Sequence, residues 1–264
     1  MAEQDRVSSI ADASKPNAGR IYDFMLGGNH NFEVDRLAAQ QVLKALPDFP
    51  HMARMVRWFL GEAVRLLAAE GITQFIDFAS GLPTVDHIHQ IAPAGTKVIY
   101  SDIDPVTVAY GQEIIKDLPN ARYVVCEAGK PETLLDSPIV SEFFGKSRKV
   151  GIGFNGIAYF LKDEQISHAM NTLHAWAENG SRLFLCDFDI TNMPAEFESS
   201  LQLYKRMGQP IIFRTLKQLQ SLVAPWQLGK GFRHPAEWLG ISKKAAEEKK
   251  SPFMEVLKAA ILEK

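Results

Sequence analysis

The hydrophobic positions of this chain follow two different periods. Over 37–46 and again over 52–69 apolar residues recur at helical spacing, with Met55, Phe59, Val64 and Leu67 near one face. Pro47 and Pro50 stop the first of these helices, and Gly71 ends the second in the manner of a helix C-cap. Beyond residue 72 the pattern becomes short, continuous apolar runs separated by amphipathic ones. The runs 73–79, 97–103, 121–126, 149–154 and 181–189 read as strands. Between them the spacing predicts a helix from a Gly-Leu-Pro-Thr turn to about residue 91, one opened by Pro105 and running to 115, and one over 163–178. Short apolar strands alternating with helices imply a parallel sheet covered on both faces. The last third predicts helices near 194–207 and 216–223 and a C-terminal helix ending in FMEVLKAAILEK. At the other end, residues 1–19 read as a small, polar tail. In the segment 20–36 that follows, Gly27-Gly28 interrupts any helix, and Asn29 and Asn31 favour turns.

Composition narrows the possibilities. A chain of 264 residues is long enough for one large domain, or one domain with an added cap, and buries a core without disulfides or metals. Its formal net charge of −2 excludes a strong overall field toward nucleic acid or an anionic membrane. No apolar stretch approaches the roughly 20 residues that span a bilayer, and the polar N-terminus has no hydrophobic targeting region. These features lead to an expectation of a cytoplasmic protein. Cys126 and Cys186 lie in strand-like runs and read as buried structural thiols. No Cys/His cluster has zinc spacing, so no metal site is expected; His87 and His89, two apart on a predicted helix, face different ways. The basic run Lys243, Lys244, Lys249 and Lys250 reads as a solvated face.

The chemistry gathers at the strand ends, where open α/β sheets bind ligands. Asp77 closes the first strand and leads into Ala79-Ser80-Gly81. Asp102 closes the second, Glu127 the third, and Asn155-Gly156 follows the fourth. Asp102 stands 21 residues after Gly81, the spacing at which a second-strand acid accepts from both hydroxyls of a ribose. Glu127, or backbone near it, is placed to accept from an adenine amino group, and Asp77 to hold an ammonium. Gly81 lets backbone approach a ligand closely. A ligand with an ammonium, a ribose and an adenine is S-adenosylmethionine. NAD fits less well: one glycine of G-x-G-x-x-G is present, Pro83 removes an amide donor, and Asp77 repels a pyrophosphate. Asp104 reads as the cap of the helix that begins at Pro105.

These residues also carry a resemblance. QFIDFASGLPTVDHIHQIAP (74–93) resembles the first motif of class I S-adenosylmethionine-dependent methyltransferases, and more narrowly the family named S-adenosyl methyltransferase. That family shows a GLPT turn after a strand acid, then Y-x-D-x-D-P, here Tyr100 to Pro105. It also has an N-terminal R-x-Y-D-x-x-L-G-G-x-x-N-F-x-x-D-R segment. Arg20, Tyr22, Asp23, Leu26, Gly27, Gly28, Asn31, Phe32, Asp35 and Arg36 match it. Two departures stand out: Ala79 where the family has Gly, and Glu127-Ala128-Gly129-Lys130-Pro131 in place of D-x-R-x-P.

The resemblance implies a Rossmann-like α/β fold, with a mostly parallel seven-stranded sheet, helices on both faces and an N-terminal helical cap. The expected organisation is a single domain over 1–264, with a cap or lid over 1–70 and a core over 71–264. The expected activity is methyl transfer from S-adenosylmethionine to an unidentified small-molecule acceptor; the alternative is a non-catalytic sensor or partner protein that binds the donor or its product. Neither a nucleic-acid nor a membrane partner is expected. The cofactor-binding candidates are Tyr22, Gly28, Asp77, Ala79, Ser80, Gly81, Asp102, Ile103, Glu127, Ala128 and Asn155. Methyl transfer from a sulfonium depends mainly on alignment, so any general base is weakly specified; the candidates are His30, Tyr22, Asp23 and Tyr159.

Overall fold

The computed structural model describes residues 14–192, 202, 205, 210–240 and 255–264. The helix expected over 194–207 and the basic run at 243–250 lie largely or wholly outside the described residues, as does most of the N-terminal tail.

The apolar runs form the expected strands: β1 (Gln74–Asp77), β2 (Lys97–Asp102), β3 (Ala121–Val125), β4 (Gly151–Gly153) and β5 (Arg182–Phe188). They are parallel. A sixth strand, β6 (Leu257–Glu263), pairs antiparallel with β5, giving the order β3-β2-β1-β4-β5-β6. The sheet of the described residues therefore has six strands rather than the seven implied by resemblance, and the expected C-terminal helix is instead its last strand. Leu-Lys-Ala-Ala-Ile-Leu-Glu suits a helix by intrinsic propensity. Pairing along the whole of β5 overrides it, from Arg182↔Glu263 to Phe188↔Leu257.

Helices cover both faces. On one lie α1 (Ala18–Met25), α2 (Glu33–Ala45) and α3 (Phe49–Ala69), with α4 (Ile88–Ile91) and α5 (Pro105–Ile114). Phe59 and Val64 of α3 pack with Phe75, Tyr100 and Phe184 of the sheet. On the other lie α6 (Glu132–Leu135), α7 (Pro138–Phe144), α8 (Asp163–Trp176) and α9 (Leu216–Leu222). There Met170 and Leu173 meet Ile152, Leu183 and Leu185. Cys126 and Cys186 are buried free thiols, as expected.

Three local readings change. Pro50 opens α3 rather than stopping the preceding helix, because proline suits a first helical turn. A helix, α1, precedes the Gly27-Gly28 break. The helix expected after the Gly-Leu-Pro-Thr turn is confined to Ile88–Ile91, because the chain before it holds Ala79, Gly81 and Asp86 at φ +53°, +62° and +48°. His87 consequently caps α4 from an extended conformation. Its ring stacks near that of His89, 6.4 Å away, and both contact Tyr100, so the two histidines share a side after all.

The N-terminal segment is held by buried polar contacts. Arg20 donates from Nε to Asp35 Oδ2 at 2.7 Å, with both side chains inaccessible to solvent and the Phe32 ring 5.0 Å from the guanidinium carbon. Asp35 also accepts from the backbone N–H groups of Asn17 and Phe32. Breaking one side of a buried pair strands the other charge, at a cost of about 3–5 kcal/mol. Asp35→Ala is therefore expected to lower unfolding stability by about that amount in urea titration, while Lys116→Ala, which removes an exposed side chain and its pair with Glu113, changes it by less than about 1 kcal/mol.

Candidate functional site

The strand order reverses between β1 and β4, and the crevice at their carboxyl ends is where a doubly wound sheet receives a ligand. Asp77, opposite Gly153 in register, stands at this point. A Cβ on Gly153 would collide with the Asp77 carboxylate, so the glycine makes room for it. Burial raises the Asp77 pKa to about 6; Ser80 and the Arg57 guanidinium oppose that rise, and Asp102 adds to it. Asn155, just beyond β4, donates from Nδ2 to the Val56 carbonyl of α3 at 3.2 Å, while its buried Oδ1 has no partner.

The turn after β1 is fixed from beneath. Ser80 Oγ donates to the Asp77 carbonyl at 2.7 Å, and Ser101 N donates to Ser80 Oγ. Tyr123 donates to the Gly81 carbonyl at 2.5 Å. Gly81 N in turn donates to Asp102 Oδ2 at 3.1 Å, and Asp104 N to Asp102 Oδ1 at 3.0 Å. Burial nevertheless raises the Asp102 pKa, with these donors opposing it. Asp104 behaves differently. Burial pushes its pKa up, but Thr107, Val106 and Asn17 together bring it below the ordinary value. Its oxygens accept from Val106 N and Thr107 N, so it is the expected cap of α5.

Ile103 is 65% exposed beside Asp102, a large apolar side chain left facing solvent at the strand ends. Glu127 follows β3 and accepts from Gln165 Nε2 and Lys130 Nζ, each at 3.0 Å. Ala128 is buried next to it. Asp77, Ala79, Ser80, Gly81, Asp102, Ile103, Glu127, Ala128 and Asn155 thus lie along the carboxyl edge of β1–β4.

The N-terminal candidates are engaged elsewhere. Tyr22 donates to the Ala53 carbonyl at 3.3 Å, against α3, and burial raises its pKa. Asp23 pairs with neither Arg20 nor Arg36. It accepts from His30 N and Asn31 Nδ2, both at 2.9 Å, and from Thr84 Oγ1 at 2.5 Å. Gly28 packs against this carboxylate so closely that any side chain would clash. His30 Nδ1 lies 2.9 Å from the Tyr110 hydroxyl on α5. Tyr159 lies beyond β4 in an aromatic group with Phe160 and Phe188.

Several residues escaped the sequence reading. Arg57 of α3 is 6% exposed, influences Asp77, and has a buried Nη1 without a partner. Only its mid-helix place among apolar residues hinted at this. His87 Nε2 lies 3.9 Å from Asp77 Oδ2, and burial holds its pKa well below the ordinary value. Asp187, at the end of β5, has its pKa raised by burial to about 7, against the effects of Phe188 N–H and Arg214, and its Oδ2 is unpartnered. No sequence spacing marked it.

The sheet order and switch point are those of a Rossmann-like α/β fold. The chain belongs to the S-adenosyl methyltransferase family, whose model matches residues 4–260. Its activity is accordingly methyl transfer, and its cofactor S-adenosylmethionine. Among solved structures, it is similar to a proposed methyltransferase from Thermobifida fusca YX, at 28% identity and TM-score 0.81, over 95% of this chain and 96% of the other. It shares its fold with a DUF574 family protein from Streptomyces avermitilis MA-4680, at 24% identity and TM-score 0.83, over 96% and 99%. No curated protein matches the chain. Among the described residues no helix is long and apolar enough to cross a membrane.

The edge fits the cofactor on its own terms: a buried carboxylate with a raised pKa and an unpartnered amide oxygen suit an ammonium, and an acid beside an exposed apolar side chain suits a nucleoside. Ala79 is at odds with its backbone. A left-handed conformation costs a non-glycine L-residue roughly 1–2 kcal/mol, partly offset by the greater entropy glycine has when unfolded. Ala79→Gly, which restores the family's residue, is expected to stabilise the protein by about 0.5–1 kcal/mol in chemical denaturation.

Proposed function

We propose that this methyltransferase acts on a small-molecule acceptor, with its donor seated along the β1–β4 edge and the segment 1–70 serving as a cap over that seat within a single domain. The observation that carries the donor assignment is the contrast among the strand-end acids. Asp104 has its oxygens filled by donors, whereas Asp77 is buried with its pKa near 6 and few donors. An anion so placed is complementary to an ammonium.

In this reading Asp77 and the Asn155 Oδ1 hold the amino group of the donor's methionine end. Asp102 accepts from the ribose, Ile103 and Ala128 flank the adenine, and Glu127 lies at its edge. Ala79, Ser80 and Gly81 present backbone to the ligand. When bound there, S-adenosylmethionine supplies a methyl group on a positively charged sulfur. The chain's own contribution is to fix that group's position, exclude water and orient an acceptor in line with it. Tyr22, Asp23, Gly28 and His30 support the cap, with Asp23 and Thr84 joining it to the turn after β1. Tyr159 is the remaining candidate for contact with the acceptor, from the β4–β5 side.

Two measurements test the donor seat. Asp102→Ala removes a charge-assisted pair and is expected to weaken S-adenosylhomocysteine binding by about 1.5–3 kcal/mol in calorimetry; unchanged affinity would refute the ribose role. The second concerns pH. With a folded pKa near 6, Asp77 is largely ionised at pH 7 and takes up a proton as pH falls through 6. An ammonium ligand needs the ionised form, so binding below pH 6 releases that proton. S-adenosylhomocysteine affinity is expected to fall from pH 7 to 5, approaching about tenfold per unit below pH 6. Asp77→Asn flattens this dependence. A wild-type profile already flat over that range would remove Asp77 from the ammonium site.

A further inference from the structure

We propose that the groove between α3 and the segment 84–91 is the acceptor site, and that it selects an acceptor bearing a carboxylate or phosphate on a flat apolar body. This rests on the donor reading above, since it places the groove beside Asp77. The groove encloses about 410 Å³, within the range of small-molecule sites, and Arg57, Trp58, Gly61, Arg65 and Ile91 line it.

Arg57 is its inner anchor. The side chain is 6% exposed, yet Nη1 is buried without a hydrogen-bond partner, and the guanidinium carbon lies 5.9 Å from the Tyr22 ring centroid. A guanidinium offers five donors in a planar fork and stays charged, so the complement of a spare, buried N–H on it is an oxyanion. Arg57 follows Val56, whose carbonyl accepts from Asn155 Nδ2 beyond β4 at 3.2 Å, so an anion held by the guanidinium lies close to the donor's seat; the same arginine acts electrostatically on Asp77.

The rest of the groove suits a flat apolar body. Trp58 is 41% exposed, an aromatic face open to solvent. Ile91 and Leu239 add apolar surface. Gly61, in the interior of α3, is unfavourable for a helix compared with alanine, but its bare Cα lets Ile91 and Arg65 seat close against the helix. A Cβ there would stand 3.1 Å from Ile91 Cδ1 and 3.5 Å from Arg65 Nη1. Arg65 is 60% exposed and held only at 3.7 Å by Glu62, which leaves it able to meet a ligand. Arg57 and Arg65 are eight residues apart, about 12 Å along the helix axis. Against these two cations the lining itself carries one acid, Asp86, and Glu62 stands beside Arg65.

Calorimetric titration of the full chain, with and without saturating S-adenosylhomocysteine, tests this with three probes: 2-naphthoate, 2-naphthyl phosphate and uncharged 2-naphthamide. Both anions are expected to bind at least tenfold more tightly than the amide. Arg57→Gln should abolish that preference, and Arg65→Gln, a surface change that leaves folding intact, should reduce it severalfold. Gly61→Leu should weaken all three probes, while S-adenosylhomocysteine affinity stays within twofold in the Arg65→Gln and Gly61→Leu variants. Equal binding of the three probes, or no binding of either anion, overturns the proposal. So does an Arg57→Gln variant that loses tenfold or more affinity for S-adenosylhomocysteine but none for its decarboxylated amine analogue, because the guanidinium would then serve the donor's own carboxylate. Failure of wild-type protein to bind S-adenosylhomocysteine would count against the donor seat, while the titrations without it still decide the groove's anion preference.

Discussion

Three donors from two distant parts of the chain converge on the buried carboxylate of Asp23: the His30 N–H, the Asn31 amide and the Thr84 hydroxyl. This contact joins the N-terminal segment to the turn after β1, and much of the surrounding sequence follows from it. Gly28 has no room for a side chain because the carboxylate occupies it. Arg36 holds both the backbone and the side-chain oxygen of Asn31, presenting that amide to Asp23. A second tie runs from Asn17 at the start of α1 to Asp104 at the start of α5, at 2.6 Å. Both ends of α1 are therefore fastened to loops at the carboxyl edge of the sheet. The first helices are part of the site's architecture rather than an appendage to it.

The acids divide by how many donors they receive. Asp23, Asp35 and Asp104 each have three or more donor contacts, and each organises backbone around it. Asp77 is buried without such compensation, and its pKa rises. A carboxylate removed from water without donors is unfavourable in isolation and becomes favourable when a cation arrives. Donor count thus separates the acids that organise backbone from Asp77, a distinction that residue type and strand position alone do not make. Asp102 lies between the two groups: two backbone N–H groups orient it, yet burial still raises its pKa.

That distinction explains what was legible in the sequence. The five parallel strands were, because strands buried on both faces read as apolar runs, and the acids ending them were visible as breaks in those runs. The match of Arg20, Asp23, Gly28 and Asp35 to a family segment was visible too, but not the work these residues do. Asp23 and His30, two of the candidate catalytic groups, are held by Thr84 and Tyr110 across distances of 61 and 80 residues that no local pattern reveals. β6 was missed for a related reason. Its composition favours a helix, and only the unpaired edge of β5 makes a strand the better solution. Arg57 was hidden by its setting, since an arginine within an amphipathic helix is ordinarily on the solvent side.

Ala79 brings these constraints together. The turn after β1 reverses the chain at the switch point through two left-handed residues, Ala79 at φ +53° and Gly81 at φ +62°. Glycine accepts that geometry without strain, whereas alanine holds it only because its neighbours fix the backbone. Those neighbours are Ser80, bonded to the Asp77 carbonyl, and Gly81, bonded through its two backbone groups to Asp102 and Tyr123. The N-terminal segment adds Thr84 to the same restraint through Asp23. A reaction governed by alignment gains from such over-determination, because each tie reduces the ways in which donor and acceptor can be misplaced. The polar contacts that make the N-terminal segment inseparable from the sheet are, by this argument, also what allow the strained turn to persist.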